Sequence, residues 1–221
     1  MQYNFSCTPR TSWAIQTSLS PSRLKKYLAE AKGSLPLAIR LYIWNSRICS
    51  TFYGPIQIVE VVVRNAISKP IKRRFGPNWP TNAKFANILN QHQRRELQSA
   101  IAKEAKQHGA NMTSEHVLSA MHFGFWTGLM ASRMDKQLWA AGISSSFPHA
   151  PAHATRQSIH NKLNSIREFR NDVMHYRSVF DKKPKQKMKQ LDELLGYLCL
   201  DTRFMVAHAH ELEVAISNRP T

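Results

Sequence analysis

Ile56-Gln57-Ile58-Val59-Glu60-Val61-Val62-Val63-Arg64-Asn65-Ala66-Ile67 is the stretch on which the fold class turns. Ile56, Ile58, Val59, Val61, Val62 and Val63 are β-branched and would pass for a buried strand by propensity alone. Val59, Val63 and Ile67, however, recur at helical spacing, and no neighbouring segment looks like a partner strand. The stretch therefore reads as helix, and the chain as all-α.

Working outward, Leu37, Leu41, Trp44, Ile48 and Phe52 also mark one helical stripe, started by Pro36. Gly54-Pro55 is expected to make a turn between the two helices, and Pro70 to kink or end the second one early. On the N-terminal side, Ser20-Pro21-Ser22 opens a helix over Arg23 to Lys32 that Gly33 closes. On the C-terminal side, Pro77 to Ala83 is a connection, and a polar helix runs from about Ile88 to His108, closed by Gly109. Thr113 caps a helix through Val117, Leu118 and Met121 into His122-Phe123-Gly124-Phe125-Trp126, where Gly124, with Gly128 just beyond, permits close packing. Ser144 to Ala154 is the clearest loop. Ile159, Leu163, Ile166, Phe169 and Val173 then mark a long amphipathic helix. Lys182 to Pro184 break the pattern, and Met188 to Ile216 form the last helix or helix pair. No internal repeat is present.

The 221 residues, 43% of them hydrophobic, suffice for one domain spanning 1–221, with 1–20 as an N-terminal arm. Lys and Arg number 31 against 14 Asp and Glu, a formal net charge of +17, which points to a polyanionic partner. The basic residues fall in short groups along the chain, at Lys25 and Lys26, Lys69 to Arg74, Arg94 and Arg95, and Lys182 to Lys189. That suits a folded surface for nucleic acid better than a disordered arm. No segment approaches the ~20 apolar residues of a spanning helix, and Met1 to Ser20 lacks the apolar run of a signal peptide. No membrane association and a cytoplasmic location are expected. Cys7, Cys49 and Cys199 match neither a disulfide framework nor a thiolate metal site. His208 and His210 diverge on a helix, His149 and His153 sit in or beside a loop, and no metal or other cofactor is expected.

One segment carries chemistry: Ile166-Arg167-Glu168-Phe169-Arg170-Asn171-Asp172-Val173-Met174-His175. On an ideal helix Asn171 and His175 share a face, while Arg170 and His175 are ~140° apart around the axis and ~7.5 Å apart along it. Arg170 falls between Ile166 and Val173 on the apolar stripe, where an unpaired charge is costly, so it should face a partner, a groove or a subunit interface.

Arg170-Asn171-x-x-x-His175 resembles the R-x4-6-H signature of HEPN ribonucleases. Three further segments resemble the Abi-like (abortive infection) family of that superfamily, in order and at fitting separations over residues 35 to 182: Trp44-Asn45, Val59 to Ile67, and Phe123-Gly124-Phe125-Trp126. Tyr176 stands where many relatives are expected to carry a second His. The resemblance implies a HEPN-like helical bundle with additional helices, metal-independent RNA cleavage centred on Arg170, Asn171 and His175, and a phage-defence or toxin role restrained by a protein or RNA inhibitor. The residue types suit attack of a ribose 2′-OH on the adjacent phosphate: His moves protons near neutrality, Arg forks onto phosphate oxygens, and Asn171 can orient the imidazole but cannot act as a base.

In-line displacement places the attacking and leaving oxygens on opposite sides of phosphorus, so one His cannot easily serve both. The next His on the same helix, His160, lies ~22 Å away along an ideal axis. A homodimer sharing two motifs across a twofold axis, which the resemblance implies, would supply the second. Arg64, Arg167, Lys182, Lys183 and Lys185 are expected to bind RNA; Arg64-Asn65 has no His within six residues and is not assigned to chemistry. Two other readings stand beside this one. A non-catalytic RNA-binding helical domain would keep the fold and charge, but the intact Arg170 and His175 argue against it. A protein-interaction module leaves the charge unexplained.

Overall fold

The stretch Ile56 to Ile67 lies inside one unbroken helix, α3, Leu35–Phe75, in the computed structural model of the protein, which describes residues 7–221. The first six residues of the expected N-terminal arm lie outside the described residues. The other helices, in chain order, are α1 (Pro9–Leu19), α2 (Pro21–Glu30), α4 (Ala83–Ile88), α5 (Gln91–His108), α6 (Ser114–Ala120), α7 (Phe123–Gly128), α8 (Arg156–Met174), α9 (Pro184–Leu198), α10 (Leu200–Ala207) and α11 (Leu212–Ser217). Short 3₁₀ and π turns fill the connections, and the described residues contain no strand. The fold is all-α.

Two expectations about α3 are corrected. Gly54-Pro55 makes no turn, and Pro70 does not end the helix, which continues to Phe75. The reason is the stripe itself. Leu41, Trp44, Ile48, Phe52, Ile56, Val59, Val63, Ile67 and Ile71 are all buried, and they keep one helical register across both prolines. Burial of such a row outweighs the roughly 3 kcal/mol that an interior proline costs. At Pro70 the loss is also repaired chemically. A proline at 70 cannot donate to the carbonyl of Ala66, and the Ser146 hydroxyl does so instead, at 2.8 Å. Ser146→Ala should therefore destabilise the protein by about 1 kcal/mol, and by far less in a Pro70→Ala background, where the restored N–H takes over. Strictly additive losses in denaturant melts would refute this account.

Other boundaries follow their caps. Thr113 accepts the His116 N–H at the start of α6, and Asn90 and Gln93 form a reciprocal capping box at the start of α5. The helix expected to run from Thr113 into Trp126 is two helices, broken at Met121 and His122. The chain beyond Lys183 forms three helices rather than one or two, and the first begins at Pro184, where a proline's missing N–H costs nothing. Residues 9–19 of the expected arm form α1, opened by Thr8.

The backbone groups into two compact units. The first comprises the chain up to Ile56 with Glu168–Lys189 and Val206–Thr221, and its core holds Leu24, Tyr27, Trp44, Ile48, Phe52, Phe169, Val179 and Leu212. Phe52 and Phe169 meet edge to face at 4.7 Å. The second comprises Gln57–Arg167 and Gln190–Met205. In it Trp79 packs on Phe85 at 5.2 Å and on Trp126 at 5.9 Å, so the Phe123 to Trp126 segment is core, as its apolar character requires. No helix among the described residues is long and apolar enough to cross a membrane.

Candidate active site

Arg170, Asn171 and His175 lie at the C-terminal end of α8, in the first unit. Phe169 and Val173 are buried and anchor the helix, while Arg170 and Asn171 are half-buried. His175 follows the last helical residue, donates its N–H to the Asn171 carbonyl at 2.9 Å, and is exposed. The helix closes beneath it through two bonds: the Tyr176 N–H reaches the Val173 carbonyl at 3.2 Å, and the Arg177 N–H reaches the Asp172 carbonyl at 2.9 Å. This is the Schellman arrangement, and it requires a left-handed residue at 176. Tyr176 adopts φ +58°, a conformation glycine takes freely and an L-side chain takes at a cost of about 1–2 kcal/mol. The residue is 66% exposed, next to His175 in the chain.

The segment after His175 is tied down from three directions. Asn45, buried in α3, accepts the N–H groups of Val179 at 2.7 Å and Phe180 at 3.2 Å, and its amide donates to the Arg177 carbonyl at 3.2 Å. Arg23 of α2 donates to the Tyr176 carbonyl at 2.9 Å. The third tie is Asp172, a buried carboxylate inside the motif that pairs with Lys182 and, at 3.3 Å, with Arg177. Next to Asn45, the Trp44 indole donates to the Ala215 carbonyl at 2.7 Å and packs on Phe180. The two residues of the Trp44-Asn45 segment thus hold the turn that carries His175. Cys49 is free; burial, assisted by the Asp172 carboxylate, pushes its thiol up to about 11, so it is no ready nucleophile.

Directly after His175 in sequence, Tyr176, Arg177 and Ser178 line a cavity of about 600 Å³ together with Ser20, Arg23, Lys26 and Lys182. Four cationic side chains share this space. Lys26 pairs with Asp181 at 2.5 Å, and Arg177 and Lys182 share Asp172, so the cations exceed the two carboxylates that face them. Such a cavity attracts a polyanion; Arg170, Asn171 and His175 are not among its lining residues, and His175 directly precedes in sequence the three that begin it.

The remaining expected RNA-binding residues divide between the units. Lys182 lines the cavity, Lys183 is exposed with φ +51°, and Lys185 pairs with Glu213 at 2.5 Å on the surface. Arg64 and Arg167 belong to the second unit. Each is half-buried, with a buried Nε that has no hydrogen-bond partner among the described residues. His160 also belongs to that unit, and burial followed by the charges of Arg156 and Arg167 holds its imidazole below the ordinary range. Sequence reasoning missed Arg23, Asp172 and Arg177, and named Lys26 only as part of a basic group. Only Asp172 left a signal: a carboxylate that folds up against Phe169 and Val173 must find cations. Comparison of the chain with models of known families, with curated proteins and with solved structures finds no match.

Proposed function

We propose that the protein is a HEPN-like, metal-independent endoribonuclease of Abi-like type that cleaves RNA by attack of a 2′-OH on the adjacent phosphate. The observation that carries the reading is an exposed His175, closing the helix that bears Arg170 and Asn171 and directly preceding in sequence the residues 176–178 that line a cavity rich in Arg and Lys. In this reading Arg170 holds the phosphoryl oxygens, His175 transfers the proton, and Asn171 orients the imidazole or donates to the phosphate. Arg23, Lys26, Arg177 and Lys182 guide the strand. A second copy of the chain supplies the second His175, so that base and acid flank phosphorus. A phage-defence or toxin role, with a protein or RNA inhibitor, belongs to the same proposal by family analogy.

Two measurements test it. Purified protein should cut single-stranded RNA in EDTA, leaving 2′,3′-cyclic phosphate and 5′-hydroxyl ends; activity that disappears on chelation and returns with a divalent ion would refute the mechanism. RNA affinity should also fall steeply with salt, with a log–log slope of about −0.7 per phosphate neutralised. A flat dependence would remove the electrostatic basis of the reading. RNA bound with that slope and never cut would favour a non-catalytic RNA-binding domain instead.

A further inference from the structure

The second unit contains a cavity of about 700 Å³, within the size range of small-molecule sites, lined by parts of α5 and α7 together with Arg133 and Arg167. Three guanidiniums line it, those of Arg95, Arg133 and Arg167, against one carboxylate, Glu96. The polar groups are not satisfied among themselves. The Nε of Arg167 and the Oε1 of Glu96 are buried and have no hydrogen-bond partner among the described residues. A part-desolvated guanidinium attracts an anion more strongly than one in water, and an unpaired carboxylate oxygen calls for a donor.

The wall is also shaped by missing side chains. A Cβ on Gly128 would stand 2.8 Å from Nε2 of Gln93, a residue only 4% exposed whose Oε1 accepts from Arg133. A Cβ on Gly124 would lie 3.9 Å from Cδ and an Nη of Arg167, in ordinary contact. Gly128 thus leaves room for Gln93 to hold Arg133.

We propose that this cavity binds a nucleoside phosphate, with Arg133, Arg95 and Arg167 on the phosphate and Glu96 accepting from an N–H of the base or a hydroxyl of the ribose. Inorganic phosphate would satisfy the guanidiniums but leave Glu96 facing a like charge. A neutral nucleoside would do the reverse. Only a ligand carrying both an anion and a donor answers both unpaired groups. It enters as a free nucleotide or as one residue of an RNA strand, and the site does not depend on the cleavage reading because binding alone reports it.

The test is calorimetric titration of the full chain with the four ribonucleoside 5′-monophosphates, the parent nucleosides, inorganic phosphate, and a 2′-O-methyl oligoribonucleotide that cannot be cleaved. At least one monophosphate should bind more tightly than its nucleoside and than inorganic phosphate. Arg133→Ala should weaken it about 10- to 100-fold, the loss expected for a charged hydrogen bond. Glu96→Gln should erase the preference over phosphate. Lys103→Ala, which removes the same charge from an exposed position on α5 outside the cavity, should change little. Binding of the oligonucleotide alone, with the same response to Arg133→Ala and Lys103→Ala, identifies the nucleotide as part of a strand and also supports the site. Arg95 and Arg133 are exposed, so their variants should fold. Absence of binding by every probe at millimolar concentration, phosphate binding as tightly as every nucleotide, or affinities indifferent to Arg133→Ala and Arg95→Ala would overturn the proposal.

Discussion

His175→Ala should lower RNA cleavage by about 10²–10⁴-fold, the usual contribution of a general acid or base, and Arg170→Ala by about 10²–10³-fold, that of a charge-stabilising donor. RNA binding should change little in either variant, because each removes at most one of 31 basic side chains. Arg170 is half-buried, so its alanine variant needs a check of folding, and Arg170→Lys provides the sharper comparison. Lysine keeps the charge and loses the planar fork, so cleavage should stay low while the fold and affinity persist. Binding that falls in step with cleavage in both histidine and arginine variants would mean that these residues hold RNA rather than act on it. The shared-site part of the proposal is decided by dilution: specific activity should fall as the chain is diluted below the dimer dissociation constant. A fully active monomer would leave His175 working with a different partner.

Asn45→Ala should produce the largest loss of stability among single polar substitutions, about 3 kcal/mol. Its side chain serves three backbone groups after His175, and truncation leaves the N–H groups of Val179 and Phe180 and the carbonyl of Arg177 without that partner. Each buried group left unsatisfied costs about 1–3 kcal/mol, and the Val179 bond is fully buried. Ser46→Ala, one residue on and exposed, should stay within about 0.5 kcal/mol. Cleavage by the Asn45→Ala variant should drop even at temperatures where it remains folded, because the turn bearing His175 has lost its tether. Urea melts that superimpose for Asn45→Ala and wild type would show that the three bonds carry no net weight.

Much of this architecture is written in periodicity. The row from Leu41 to Ile71 holds one register through Gly54-Pro55, so the continuity of α3 was legible; composition at the Gly-Pro pair obscured it. The caps at Asn90 and Thr113 were equally local, although only the second was read as one. The rescue of the Ala66 carbonyl by Ser146 was not legible, because the two groups are 80 residues apart and nothing in the neighbourhood of either marks the other. The site divides in the same way. The motif is contiguous and could be found by eye, whereas the cavity beside it depends on Arg23 and Lys26 from a helix about 150 residues earlier. The role of Asn45 emerges only when its three bonds are seen together.

Tyr176 has a consequence for how the turn at His175 moves. A left-handed tyrosine starts its local opening from a basin raised by about 1–2 kcal/mol relative to the right-handed alternatives. The two amide hydrogens that close the cap, on Tyr176 and Arg177, should therefore exchange with solvent more readily than those in the body of α8. The imidazole rides on that equilibrium. The end of the helix that presents it is spring-loaded, with the Asn45 and Arg23 bonds setting the depth of the well and the chirality of one residue setting how readily it is left.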